Sequence, residues 1–104
     1  MEVTLGPVTA VPPGEGRNFQ VGSEAVAVFR CRRGELFATQ ATCPHRQGPL
    51  ADGLVGDGTL ICPLHSMKFD LRTGQAQNGE CSLKTYRARQ SDAGQILIEM
   101  SEGT

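Results

Sequence analysis

Short runs in which apolar and polar side chains alternate recur along this chain, each closed by glycine, proline or a polar pair. Alternation sends successive side chains to opposite faces of an extended strand, so each run predicts a half-buried β-strand. Residues 2–11 alternate loosely and end in the turn cluster Pro12-Pro13-Gly14-Glu15-Gly16. Residues 17–21 predict a short strand that stops at Gly22-Ser23. Residues 24–32 carry Val26, Val28, Phe29 and Cys31, a β-branched and aromatic content that suits a strand. Arg33-Gly34 then turns the chain into residues 35–39 as a hairpin. Residues 53–56 and 57–62 predict two more strands around a Gly-Asp-Gly turn. Residues 68–71 alternate, Arg72-Thr73-Gly74 turns, and residues 75–81 are polar and loop-like. Residues 83–89 and 95–100 predict the last two strands, separated by Ser91-Asp92-Ala93-Gly94 and followed by a frayed tail at 101–104. Roughly eight to ten short strands and no 3.6-residue period predict an all-β antiparallel sandwich or barrel.

Composition changes this picture little. A length of 104 residues predicts one domain, residues 1–104, with an adequate but thin core. Aromatic residues make up 5% and Trp is absent, so Val, Leu, Ile, Ala and four Phe must fill that core. The 13 glycines exceed the usual share of about 7% and are scattered as turn punctuation. A net charge of -1 without clustered Lys or Arg gives no reason to expect a nucleic-acid or anionic-membrane partner. The N-terminus has neither the basic nor the apolar region of a signal peptide, and no window is apolar enough for a membrane span. The expectation is a soluble, cytoplasmic protein in which cysteines serve a metal rather than disulfides, since two of the four are interleaved with histidines.

The chemistry lies in one stretch. Cys43-Pro44-His45 is followed, after a spacer, by Cys62-Pro63-Leu64-His65, and both of the chain's histidines are here. Two thiolates and two imidazoles in matched pairs make a metal site, for which zinc and iron–sulfur centres are the candidates. Structural zinc modules usually take two cysteines from one short loop and two further ligands from another. Here each loop supplies one of each kind. That division suits a binuclear cluster with both cysteines on one iron and both histidines on the other.

Together with Gly48, Leu50 and Lys68-Phe69-Asp70, the two motifs resemble the Rieske [2Fe-2S] domain, and the resemblance covers nearly the whole chain. It implies a Rieske-like sandwich or barrel with cluster-binding loops 43–50 and 62–69 at one end. It also implies that Cys43 and Cys62 bind the inner iron, and His45 and His65 the outer, exposed one. The chain would move one electron at a time and have no catalytic substrate site of its own. Rieske centres span about −150 to +300 mV, against about −400 mV for plant-type clusters. High-potential members link the two loops by a disulfide and donate hydroxyls from a Ser and a Tyr to the cluster sulfurs. The matching positions are Gly48 and Leu64 for the bridge and Met67 and Phe69 for the hydroxyls, so the low end of the range is expected.

Three roles remain open. The runs at 43–53 and 79–86 resemble the small subunit of assimilatory NAD(P)H-dependent nitrite reductase, whose large-subunit partner carries flavin, an iron–sulfur cluster and sirohaem; this reading is placed first. A free ferredoxin could instead pass electrons from a flavin-containing reductase to a ring-hydroxylating terminal oxygenase. A zinc-binding interaction module without redox chemistry is the third. The family places a third, often proline-rich loop at about residues 77–82; this chain has no proline there, and Cys81 within it is not expected to be a ligand. Cys31 reads as a small buried hydrophobe on a strand. Arg46, Gln47, Lys68 and Arg72 read as a solvated rim, or else as a docking surface for an acidic redox partner. Gly48, Pro49, Gly53, Gly56 and Gly58 read as turn formers.

Overall fold

The computed structural model describes residues 2–41, 50–56, 58–61, 68–76 and 83–99. The strands among them are β1 (Glu2–Pro7), β2 (Glu15–Val21), β3 (Glu24–Arg30), β4 (Leu36–Gln40), β5 (Leu54–Gly56), β6 (Thr59–Ile61), β7 (Lys68–Asp70), β8 (Thr85–Gln90) and β9 (Gln95–Glu99). Short 3-10 turns at Val8–Ala10 and Leu50–Asp52 are the only helical segments among the described residues. A six-stranded sheet has the order β1-β9-β8-β4-β3-β2, and a three-stranded sheet the order β5-β6-β7. Every strand pairing among the described residues is antiparallel. The large sheet curls into a half-barrel, as the all-β reading requires.

Strand β3 shows why the molecule has two buried layers. Val26 and Val28 pack on one face of the large sheet with Val8, Val11, Leu36, Ala38, Ile96 and Ile98. Ala27 and Phe29 pack on the other face, with Leu50, Leu60, Phe69, Leu71, Ala76 and Leu83. A strand covered on both sides needs a continuous apolar run rather than alternation, and Val26-Ala27-Val28-Phe29 is that run. The second layer carries the small sheet.

Several boundaries differ from the sequence reading for local reasons. β2 begins at Glu15, inside the predicted turn cluster. Gly16 pairs with Phe29, and a Cβ at Gly16 would stand 2.6 Å from two carbons of the Phe29 ring. The glycine makes room for an aromatic ring rather than for a turn. Residues 8–10 leave the strand for a 3-10 turn. Ala76, predicted in a loop, forms an antiparallel bridge with Phe69. Cys31 is buried as expected but follows the end of β3. The predicted strand ends at Asp57, Cys62 and Met100, and the tail at 101–104, lie outside the described residues.

Strands β4 and β8 are neighbours in the large sheet, with Ala38 opposite Tyr86 and Thr39 opposite Thr85. Residues 41–84 therefore leave and re-enter the large sheet between neighbouring strands. That insertion contains β5, β6, β7 and both Cys/His motifs.

Candidate metal centre

Cys43, His45, Cys62 and His65 lie outside the described residues, as do Arg46, Gln47, Gly48, Pro49, Leu64, Met67 and Cys81. What the structure describes is the set of roots from which those stretches spring. The first motif stretch leaves at Ala41 and returns at Leu50, whose N–H donates to the Ala41 carbonyl at 3.0 Å. Leu50 opens a 3-10 turn, and the Gly53 N–H donates back to the Leu50 carbonyl at 2.9 Å. The second stretch joins β6 to β7, so its ends are the paired residues Ile61 and Lys68.

Gly53 joins these two roots. A Cβ there would run into the Ile61 carbonyl oxygen, stand 2.9 Å from Leu60 Cδ1 and 3.2 Å from the Leu50 carbonyl oxygen. Its φ is not in the left-handed region, so this position is glycine because of space and not because of a turn.

The stretch after Ala76 returns at Leu83, whose N–H donates to the Gly74 carbonyl at 2.6 Å. Next to it, the Gln40 N–H donates to the Lys84 carbonyl, and the Lys84 N–H donates to Gln40 Oε1, both at 2.9 Å. Gln40 immediately precedes Ala41, so the circuit closes. It runs from Ala41 to Leu50, Gly53, Ile61, Lys68, Phe69 and Ala76, back along the chain to Gly74, and from there to Leu83, Lys84 and Gln40. Leu50, Leu60, Phe69, Ala76 and Leu83 bury their side chains in one cluster beneath it. Sequence reasoning did not single out Gln40 or Leu83, because neither residue type is unusual at a strand end. In the sequence Gly53 reads as a turn former.

The rim residues that can be described are Lys68 and Arg72, both exposed. Arg72 is tied to the large sheet. Its guanidinium lies 3.3 Å from Glu35 Oε2 and 5.5 Å from the centre of the Phe37 ring, and the Arg72 backbone N–H donates to Asp70 Oδ1 at 2.8 Å. An exposed pair of this kind is worth about 0.2–1 kcal/mol, so Arg72 orients the two sheets more than it stabilises them. Lys84 lies 3.4 Å from Glu24 Oε1 and 5.2 Å from the Tyr86 ring centre. Attraction to Tyr86 first, then the hydrogen bond and charge of Glu24, raise its pKa above the usual lysine value. Among the described residues no group of three or more His, Cys, Asp or Glu could hold a metal.

The Rieske [2Fe-2S] domain profile matches residues 1–87. The chain belongs to the Rieske family. Its cofactor is a Rieske [2Fe-2S] cluster and its function is electron transfer. The residues present fit that group: the chain holds two Cys and two His in matched pairs, and Gly53 holds the roots of both motif stretches side by side. The chain is 37% identical over 97 residues to the biphenyl dioxygenase ferredoxin subunit of Pseudomonas sp. strain KKS102, covering 90% of this chain and 87% of that one. It is 41% identical over 58 residues to the 4β-methylsterol monooxygenase of Methylococcus capsulatus, a match spanning 56% of this chain and 16% of that protein. Among solved structures, a protein from Mycobacterium tuberculosis described as an NADH-dependent nitrite reductase small subunit superposes with a TM-score of 0.88 at 23% identity, over 97% of this chain and 96% of that one. At that identity the likeness is one of fold. The ferredoxin of Sphingomonas yanoikuyae B1 superposes with a TM-score of 0.82 at 31% identity, over 97% of this chain and all (100%) of that one.

Proposed function

We propose that this Rieske protein is a ferredoxin, carrying single electrons at low potential from a flavin-containing reductase to the terminal oxygenase of a ring-hydroxylating system. The observation that carries this reading is the 37% identity to a dioxygenase ferredoxin subunit over 90% of the chain. The likeness reaches across 87% of that subunit. Cys43 and Cys62 are its ligands to one iron, and His45 and His65 its ligands to the other. When bound, the cluster supplies a one-electron couple, and two neutral imidazoles in place of thiolates make it less negative and easier to reduce than an all-cysteine cluster. Residues 1–104 act as one module and work in the cytoplasm beside the flavin-containing reductase. Among the described residues no helix is long and apolar enough to cross a membrane.

A second reading has its own support. The runs at 43–53 and 79–86 resemble the nitrite reductase small subunit, which would make the partner a sirohaem flavoprotein rather than an oxygenase.

The test has two steps. Anaerobically purified protein should show the optical and electron paramagnetic resonance spectra of a Rieske cluster. Colourless, iron-free, folded protein would return the zinc module to favour. The protein should then restore aromatic-ring hydroxylation when added to a reductase and an oxygenase that lack their ferredoxin. Co-purification in a stable complex with a sirohaem flavoprotein would overturn the shuttle reading in favour of the nitrite reductase subunit.

A further inference from the structure

We infer that Gly53 is a positioning residue for the cluster, setting the spacing between the two loops that carry its ligands. The inference rests on the proposed assignment of Cys43, His45, Cys62 and His65. If both cysteines serve one iron and both histidines the other, each iron draws one ligand from each loop. The spacing of the loop roots then bears directly on how the ligands meet the metals.

In the described part of the circuit, the two ligand loops meet at one joint. Gly53 is hydrogen-bonded to Leu50, the residue at which the first loop returns. It also lies against the carbonyl of Ile61, the residue from which the second loop departs. The other joints of the circuit are hydrogen bonds, strand pairs or covalent neighbours, which fix their own separation. The Gly53 joint to Ile61 is a contact, and its closeness depends on a missing side chain.

A methyl group at position 53 would meet two different obstacles. Leu60 Cδ1, at 2.9 Å, belongs to a side chain, and a shorter residue at position 60 removes it. The Ile61 carbonyl oxygen is backbone, paired in register with Leu54 and Lys68, and cannot move without carrying Cys62 with it. Gly56 supplies the contrast. It sits three residues away in β5, and nothing lies within 4 Å of a Cβ placed on it. The two glycines look alike in the sequence and differ only in what faces them.

The test compares wild type, Gly53→Ala, Gly56→Ala, Leu60→Val and the double variant Gly53→Ala/Leu60→Val. The readouts are the g-values of the reduced cluster, its midpoint potential, the rate of cluster loss to an iron chelator, and far-ultraviolet circular dichroism. Gly53→Ala should fold, with displaced g-values, a shifted potential and cluster loss faster by about 10-fold, the lower end of what disturbing ligand supports usually costs. Gly56→Ala should match wild type. The double variant should keep the altered g-values, because Leu60→Val clears the side-chain obstacle and leaves the backbone one. Folded Gly53→Ala with the spectrum and potential of wild type would overturn the inference. So would return of the double variant to the values of Leu60→Val alone, since the glycine would then only serve side-chain packing. Failure of Gly53→Ala to fold, with or without Leu60→Val, would also overturn it, because the glycine would serve the fold and not the site. Wild-type protein without a Rieske spectrum would instead bring down the ligand assignment, a separate outcome read before any variant.

Discussion

A ring and a glycine share one space at Gly16, where the Phe29 side chain lies directly over the opposing backbone. Phe29 is fully buried, so its ring cannot swing out to accommodate a methyl group. Gly16→Ala should therefore lower stability by about 1–3 kcal/mol, the usual cost of overpacking, measured by urea denaturation of the apoprotein. Lys84 gives a residue-scale effect of a different kind. Its folded-state pKa is raised by Tyr86 and Glu24, so its contribution to stability is fully present below the usual value of 10.5. That contribution is lost as pH rises through the higher folded value. Lys84→Met should flatten this alkaline limb of the stability–pH curve and slightly lower stability at neutral pH, where the contribution of the charged lysine is fully present. An unaltered alkaline limb in the variant would show that the Glu24 and Tyr86 contacts are not held in solution.

At the scale of elements, the insertion between β4 and β8 depends on turns that return the chain to the right root. Gly74 has φ +81, and a Cβ there would meet the Leu83 carbonyl oxygen. The same glycine accepts the hydrogen bond of the Leu83 N–H and donates to the Asp70 carbonyl. Gly74→Ala combines a backbone that L-residues rarely adopt with a backbone collision. It should cost more than the roughly 1 kcal/mol of a simple left-handed substitution. Amide exchange at Leu83 should rise well above the effect at Ile96 and Ile98, which lie in the other buried layer. Uniform acceleration across both layers would instead mark global destabilisation.

On the scale of the whole molecule, the large sheet frames the insertion that holds the small sheet and both Cys/His motifs. Arg72, held between Glu35 and Phe37, is one tie between the two sheets. Phe69 is another: it is fully buried in β7 against the layer that includes Ala27 and Phe29. An apolar ring here offers no hydroxyl to a cluster sulfur, and Met67 offers none either. Without those donors, or a bridge between Gly48 and Leu64, the midpoint potential should lie below about +100 mV, in the lower part of the Rieske range. Phe69→Tyr should raise it in a redox titration. A wild-type potential well above that level would mean that other groups supply the missing hydrogen bonds.

The sequence by itself determined the strands and the chemistry. Alternation and turn residues are nearest-neighbour signals, so β3, β4, β8 and β9 could be read within a residue or two. The Cys/His pairs are likewise local, and their division between two stretches was enough to indicate a binuclear centre. Only the tertiary structure decided what those stretches are anchored to. The Gln40–Lys84 clamp joins residues 44 positions apart, and no local pattern distinguishes Gln40 from any other polar residue at a strand end. Gly53 and Gly56 carry the same letter, and so do Gly16 and the glycines of true turns. What separates them is which atom, from a distant part of the chain, occupies the volume where a side chain would have been.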